Sequence, residues 1–223
     1  MLIQLVKKDF LIVKKYVLIM FAVCVIFPLF LIWRSPEYAG ILGFVLITIF
    51  SIFMLLQYVS LKETQYPKAS TLLCALPFPR KDIVLAKYIF CITIYFACCL
   101  IFGIETLLFP QLRNIGFEIP VILFLIVSLF LGVYLPVQYK FGYEKTKLFF
   151  VVLIMASPFV FAQSLKMKNS LNINIFENIN PIFLFTGSLV ISVVILTISS
   201  AISVKIFKQA DLSSFYRGVN HGQ

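Results

Sequence analysis

Long apolar runs separated by short basic segments constrain this chain more than any other feature. Of its 223 residues, 61% are hydrophobic and only 13% are charged, whereas about a quarter of the residues in a soluble domain are charged. A helix needs roughly 20 mostly apolar residues to cross the hydrocarbon core of a bilayer. Six segments approach or exceed that length, which predicts an all-α integral membrane protein with six transmembrane helices. These spans are Tyr16–Trp33, Ala39–Leu61, Ile83–Phe109, Ile119–Val137, Leu148–Gln163 and Pro181–Val204.

Lysine and arginine alternate between the two sides of these predicted spans. If the N-terminus is cytoplasmic, 15 of the 19 basic residues lie in cytoplasmic segments, and only Arg34, Arg113, Lys166 and Lys168 lie outside. Because cytoplasmic loops carry such an excess, both termini are predicted to be cytoplasmic in a multi-pass protein of the plasma membrane. The net charge of +10 is shared among short segments and forms no single basic face. It therefore favours contact with anionic lipid head groups over nucleic-acid binding.

The N-terminal segment, residues 1–15, has an apolar side and a basic side. Apolar residues recur at helical spacing at Ile3, Val6, Phe10, Val13 and Val17. The opposite side carries Gln4, Lys7, Lys8, Lys14 and Lys15. A helix of this kind lies in the membrane interface with its lysines among lipid phosphates. We predict such an interfacial helix, with the four lysines as its lipid contacts; the alternative is a charged, frayed start to the first span.

A polar segment, residues 62–82, separates the second and third spans. Three prolines interrupt helix continuity within it; they are Pro67, Pro77 and Pro79. Between them, Ser70 can cap a short helix. The leucines on one face of that helix are Leu72, Leu73 and Leu76. Since the helix is too short to cross a bilayer, these leucines must be buried against the cytosolic ends of the spans or against another protein.

The remaining segments complete a single membrane domain, residues 16–209. The longest outer loop covers residues 163–180, and a cytoplasmic tail covers residues 210–223. Before the fifth span, the basic and aromatic stretch "PVQYKFGYEKTK" is predicted to turn at Gly142.

The chain lacks the residue patterns of the common enzyme classes. It contains no phosphate loop, no H-E-x-x-H and no G-x-S-x-G motif, and its only histidine is His221. The chain is therefore predicted to have no catalytic residues and no ability to hydrolyse ATP by itself. No pair of cysteines has the spacing of a zinc or redox motif, so no metal site is predicted. The cysteines are Cys24, Cys74, Cys91, Cys98 and Cys99.

Glu105, late in the third predicted span and near the outer face, is the only acidic residue within a predicted span. Charged residues in spans are costly and mark candidate functional sites, so Glu105 could line a substrate path or pair with Arg113 at the outer rim. The alternative is a carboxylate that only reaches interfacial water. An intramembrane enzyme would need several clustered catalytic groups, and Glu105 stands alone in the sequence.

Two stretches resemble motifs of the ABC-2 type transporter permeases. "ALPFPRKDIVLAKYIF", after the second span, is similar to the family pattern Leu-Pro-x-x-Arg-Lys-x-Ile-Val-x-x-Lys-Tyr. "LPVQYKFGYEKTK", before the fifth span, is similar to the family element Pro-x-x-Tyr-Lys-Phe-Gly-x-x-Lys. Together with six spans and an amphipathic start, the resemblance covers nearly the whole chain. Phe78-Pro79 departs from the family, which more often has a small residue before the arginine.

The resemblance implies a division of labour between this chain and a separate ATPase. In ABC-2 permeases the loop after span two contains a coupling helix that sits in a cleft of a cytosolic ATPase dimer, which binds ATP and Mg²⁺. The amphipathic N-terminus would correspond to the family's elbow helix, and two permease copies, or this chain and a related one, would face each other. By resemblance, the coupling role falls on Glu63, Ser70, Leu72, Leu73, Leu76, Pro77, Arg80, Lys81 and Asp82.

The resemblance also suggests a cargo class. Small six-span permeases of this kind resemble membrane subunits of bacterial exporters of amphipathic or antimicrobial peptides, including phenol-soluble-modulin-type toxins, and of lantibiotic self-protection systems. The 25 phenylalanines suit an amphipathic or lipid-like cargo, although phenylalanine is also ordinary lipid-facing filler. The alternative function is a passive channel, or a membrane anchor that recruits a cytosolic partner without transport.

Overall fold

The computed structural model describes residues 2–34, 39–65, 79–112, 118–148, 151–152, 155 and 181–220. Long apolar segments form helices here because a helix satisfies all of its backbone polar groups internally, as the hydrocarbon region of a bilayer demands. Every described element is helical. The elements are α1 Leu2–Ile12, α2 Lys14–Arg34, α3 Ala39–Gln65, α4 Arg80–Leu108, a 3₁₀ turn Pro110–Leu112, α5 Glu118–Phe141 and α6 Pro181–Asn220. Residues 143–148 are also helical.

Five described helices, α2 to α6, are long and apolar enough to cross a membrane. They correspond to the first four predicted spans and the sixth. The predicted fifth span, Leu148–Gln163, lies almost entirely outside the described residues, as do the outer loop 163–180 and the short helix predicted from Ser70 to Leu76. The helices also extend past the predicted spans, since α4 begins at Arg80 and α6 continues to Asn220.

Helices α2, α3 and α4 alternate in direction. The rings of Tyr16 and Tyr58 stack with centroids 3.7 Å apart, and further along the pair Cys24 Sγ lies 3.4 Å from Ser51 Oγ. Residue numbers rise along α2 as they fall along α3, so these two helices are antiparallel. Phe44 near the start of α3 packs against Phe102 near the end of α4, and Glu63 near the end of α3 pairs with Lys87 near the start of α4, so these two helices are also antiparallel.

Helices α5 and α6 run in the same direction. The Ser199 hydroxyl of α6 lies 2.9 Å from the carbonyl oxygen of Gly132 on α5, and nearer their C-terminal ends the rings of Tyr139 and Phe207 are 5.4 Å apart. This pair forms the most extensive helix packing in the described part of the chain. A six-span topology requires the fourth and sixth spans to be parallel, and the two helices satisfy that requirement.

Helix α3 is the centre of the described bundle. More of its length is buried than that of any other described helix, whereas α2 and α6 expose broad apolar faces. Phe53 of α3 packs edge-on against the rings of Phe130 and Tyr134 of α5, at centroid distances of 5.7 and 5.6 Å. The helix that leads into residues 66–78 is therefore held on several sides by its neighbours.

The chain bends at two short breaks near one end of the bundle. Val13 separates α1 from α2, yet its amide still donates to the Asp9 carbonyl and its carbonyl still accepts from Val17, so helical register continues across the break. Gly142 ends α5 with a φ of +82°, a conformation that glycine adopts without steric cost. The turn predicted at Gly142 is confirmed.

Candidate functional site

Charged side chains from three helices meet at the end of the bundle where α1 packs. Lys87 Nζ of α4 lies 2.6 Å from Glu63 Oε2 of α3. Lys8 Nζ of α1 lies 3.4 Å from Glu63 Oε1 and 3.1 Å from Asp9 Oδ1. We call this group, Lys8, Asp9, Glu63 and Lys87, the ion cluster, and the end of the bundle that contains it the charged end.

The ion cluster is balanced and largely buried. It contains two ammonium groups and two carboxylates, and only 7% of the Lys87 side chain is exposed. A buried ammonium without a partner would cost several kcal/mol, so the Glu63 carboxylate is what allows the Lys87 side chain to be buried in the bundle. Removing either partner leaves the other charge buried and unpaired, which makes this pair sensitive to any movement of α3 relative to α4.

Asp9 occupies the buried side of α1. Its side chain is 3% exposed, and it shares that side with Leu5. Burial raises the pKa of Asp9 above its ordinary value, while the neighbouring Lys8 ammonium opposes the shift. Lys8 therefore has carboxylate partners on both α1 and α3, and it fastens α1 to the bundle.

An aromatic pair extends the ion cluster to α5 and α6. Lys87 Nζ lies 5.4 Å from the centre of the Tyr139 ring, within the range of a favourable cation–π contact. Tyr139 in turn packs against Phe207 of α6. Lys87 and Tyr139 come from the two stretches whose motifs were recognised in the sequence, and the structure brings them together.

A hydrogen-bonded chain joins α4, α5 and α6 next to the ion cluster. Pro136 has no N–H, so the Gly132 carbonyl four residues earlier loses its usual helical donor. Ser199 Oγ of α6 donates to that carbonyl over 2.9 Å, and the Tyr88 hydroxyl of α4 lies 2.6 Å from the same Ser199 oxygen. Because the only proton of Ser199 is used on Gly132, Tyr88 must be the donor to Ser199. Ser203 Oγ, 2.9 Å away, is left to donate to Tyr88.

The structure describes four of the nine predicted coupling residues. Glu63 lies in the ion cluster, and Arg80, Lys81 and Asp82 form the first turn of α4. An acidic residue there, Asp82, interacts favourably with the positive end of the helix dipole. The other five predicted coupling residues lie outside the described part of the chain. They are Ser70, Leu72, Leu73, Leu76 and Pro77.

The four N-terminal lysines do not share one environment. Lys7, Lys14 and Lys15 are exposed, as lipid contacts would be. Lys8 is instead drawn into the ion cluster by Glu63 and Asp9. Its position on the helix differs from that of Lys7 by one residue, or about 100°, which is enough to turn it towards the bundle.

Glu105 is 5% exposed near the end of α4 that lies away from the charged end. Neither of its carboxylate oxygens accepts a hydrogen bond from the described residues. Arg113, its predicted partner, lies outside them.

The described part of the chain contains no assembled metal site and no disulfide. It contains no group of three or more His, Cys, Asp or Glu side chains able to hold a metal ion. Its four described cysteines are free thiols. Cys74 lies outside the described residues.

Sequence reasoning identified Glu63 but not its partners. Lys87 lies four residues inside the predicted span Ile83–Phe109, so the rule that charged residues in spans mark functional sites could have found it. Asp9 and Tyr139 carried no comparable signal, because their contacts depend on how α1 and α5 pack against α4.

Among the comparisons with known proteins, one match covers most of the chain. A family model described as "ABC-2 family transporter protein" matches residues 4–208. This range includes the ion cluster, the hydrogen-bonded chain and, except for the end of α6, the five helices that are long and apolar enough to cross a membrane. No curated protein and no solved structure matches the chain.

Proposed function

The chain belongs to the ABC-2 family of transporter proteins, and on that premise we propose that it is the permease subunit of an exporter driven by a separate cytosolic ATPase dimer. The partner would bind ATP and Mg²⁺, and this chain would provide the membrane path. The observation that carries the proposal is the ion cluster, which lies where α3 enters and α4 leaves the predicted coupling segment.

The position of the Glu63–Lys87 pair supports a coupling role. Glu63 is two residues before the end of α3, and Lys87 is in the second turn of α4; the coupling segment lies between them in the sequence. A displacement of this segment by the ATPase would act first on these two helix ends. Because Glu63 also binds Lys8, and Lys87 also contacts Tyr139, the displacement would reach α1 and α5 together.

The hydrogen-bonded chain from Tyr88 would carry the same motion to α6. Tyr88 follows Lys87 directly, and it reaches Ser199 on α6 and, through Ser199, the backbone of α5. We propose that α1, α4, α5 and α6 respond to nucleotide as a linked set, arranged around α3, the most buried of the described spans. Hydrogen bonds suit this role because they weaken steeply when distance or angle changes, so a shift of one helix acts directly on the helix that holds the other partner.

The wider assignment follows from the family and the sequence. We propose that two permease subunits, copies of this chain or this chain and a related one, assemble around the path. Both termini would be cytoplasmic in a bacterial plasma membrane. The proposed cargo is an amphipathic peptide or lipid-like molecule, with phenol-soluble-modulin-type peptides as one example. Its support is that small six-span permeases of this kind resemble the membrane subunits of peptide exporters, together with the abundance of phenylalanine in this chain.

The test uses the full-length permease and its candidate ATPase, reconstituted together in inverted vesicles. Uptake of a labelled amphipathic peptide is measured with ATP and with a non-hydrolysable analogue. We expect ATP-dependent uptake by the wild type. Glu63→Gln combined with Lys87→Met should lower peptide uptake at least about tenfold, because it removes the ion pair that joins α3 to α4. The ATPase should still copurify, because the double change leaves no buried charge unpaired between the two positions. Lys140→Met, at an exposed lysine of the same end, is the matched control.

Three results would contradict parts of the proposal. Peptide flux that continues without nucleotide would indicate a passive channel, and ATPase binding without any transport would indicate an anchor. Leu72, Leu73 and Leu76 changed together to Asp should release the ATPase from a permease that remains in the membrane. Retained binding by that variant would remove the coupling role from the segment.

A further inference from the structure

A narrow crevice opens on the side of the bundle between α2 and α4. Its volume is about 110 Å³, with Leu55 and Ser51 of α3 at its back and Phe10 of α1 on its lining. Along α4 it extends from Thr93 to Ile101, which is about 12 Å at 1.5 Å per residue. The crevice is therefore long and thin rather than round.

The walls of this crevice offer little polar chemistry to a ligand. Ser51 Oγ is occupied by Cys24 Sγ at 3.4 Å, and Thr93 Oγ1 donates to the Ile89 carbonyl of its own helix. Thr93 and its neighbour Ala97 are exposed at the mouth. An apolar cavity of this kind does not hold water, and in a bilayer its open side faces hydrocarbon chains.

Exposed lysines lie in line with the apolar wall at the charged end. Phe10 and Val17 both line the crevice. The prediction that all four lysines lie opposite these apolar residues is wrong for Lys7 and Lys14, which fall beside Phe10 and Val17 on the same helical stripe at spacings of three and four residues. The stripe is continuous because the hydrogen bonds on both sides of Val13 keep helical register between α1 and α2. Lys15, one residue further on, points about 100° away from this stripe.

We propose that the crevice and the two lysines form a binding site for one anionic phospholipid of the membrane leaflet at the charged end. An acyl chain fills the apolar crevice, and the lipid phosphate lies between Lys7 and Lys14. The charge of the lysines selects this occupant, because a cationic amphipathic peptide would be repelled by the same two side chains. Bound lipid would fasten α1 and α2 to α4 beside the ion cluster, independently of any transported cargo.

The test measures lipid retained by the purified full-length protein. The protein in a mild detergent is titrated with phosphatidylglycerol or with phosphatidylcholine of the same chains, and bound lipid is counted by native mass spectrometry. We expect one saturable phosphatidylglycerol site and weaker binding of phosphatidylcholine. Lys7→Gln and Lys14→Gln should each weaken phosphatidylglycerol binding about fivefold. Ala97→Phe should block both lipids by filling the mouth.

Matched variants separate this site from general attraction to the membrane. Lys15→Gln removes an exposed lysine off the stripe, and Ala22→Phe adds the same ring to an exposed position of α2 that does not line the crevice. Both should bind phosphatidylglycerol as the wild type does. An equal loss with Lys15→Gln, unchanged binding by Ala97→Phe, or equal affinity for both lipids would each overturn the proposal. Displacement of the bound lipid by a cationic amphipathic peptide would also overturn it, since it would make the crevice a cargo site.

Discussion

At the scale of single residues, polar groups inside this bundle are arranged so that one helix supplies what another lacks. Pro136 deprives the Gly132 carbonyl of a donor, and Ser199 of a different helix replaces it. Within a membrane an unsatisfied carbonyl costs more than at a wet surface, because no water is present to take the vacant place. A proline in one helix and a serine in another therefore form one structural unit.

This unit predicts the effect of Ser199→Ala. The change leaves the Gly132 carbonyl without a donor, while Tyr88 keeps its contact with Ser203 at 2.9 Å. We expect a loss of stability of about 1–2 kcal/mol, seen as a lower midpoint of thermal unfolding for the protein in detergent. Restoring a hydroxyl with Ser199→Thr should recover part of the loss.

Ser200→Ala is the control for this prediction. Ser200 Oγ bonds the Thr197 carbonyl of its own helix, so its loss orphans no group on α5. We expect a change within about 0.5 kcal/mol, the usual range for substitutions away from such features. Equal effects of the two serine variants would show that the hydrogen bond to Gly132 stabilises the protein no more than a hydrogen bond within a single helix does.

At the scale of helices, apolar run length predicted the spans well and their ends poorly. The described spans coincide with predicted ones because hydrocarbon thickness sets a minimum length that composition reveals. The end of α3 moved outwards, from the predicted Leu61 to Gln65, past the charged residue Glu63. Glu63 stays in α3 because Lys87 and Lys8 neutralise it, and such pairs between helices cannot be read from either helix alone. The same limit explains why Asp9 and Tyr139 were absent from the predicted site.

Close packing of α5 against α6 depends on Gly132. A Cβ atom added there would lie 2.9 Å from Ile195 Cγ2 and 3.9 Å from Ser199 Cβ. Ile195 is β-branched and has little rotamer freedom in a helix, so the helices would have to separate. We expect Gly132→Ala to destabilise the protein by about 1–3 kcal/mol, measured by thermal unfolding, even though alanine favours helix formation.

Two further variants test the steric explanation. Ile195→Ala in the Gly132→Ala background removes the clashing methyl group, so the double variant should be more stable than the sum of the two single effects. At Gly103 no described atom lies within 4 Å of an added Cβ, and Gly103→Ala should be neutral or stabilising by up to about 1 kcal/mol. Simple additivity at positions 132 and 195 would contradict the clash.

At the scale of the whole molecule, parts of five helices meet at the charged end. They are helix α1, the end of α3, the start of α4, the C-terminal end of α5 and the part of α6 around Phe207. Because α5 and α6 are parallel, α6 brings the later part of the chain to the end where α1 begins. This arrangement follows from contacts between helices. It agrees with the distribution of lysine and arginine along the sequence, which also predicts that the two termini lie on the same side.

These two lines of reasoning predict that both termini lie on the cytoplasmic side. The full-length chain is given different epitope tags before Leu2 and after Asn220, and right-side-out and inverted vesicles are treated with protease. Both tags should survive in right-side-out vesicles and disappear in inverted ones, because the excess of lysine and arginine retains the charged end in the cytoplasm. A third tag, inserted at Asn172 in the predicted outer loop, should show the opposite pattern, and a resident membrane protein of known topology serves as the control for vesicle orientation. Tags on opposite sides would contradict the six-span topology, whereas two external termini would keep the parallel pair of helices and reverse the orientation assigned from charge.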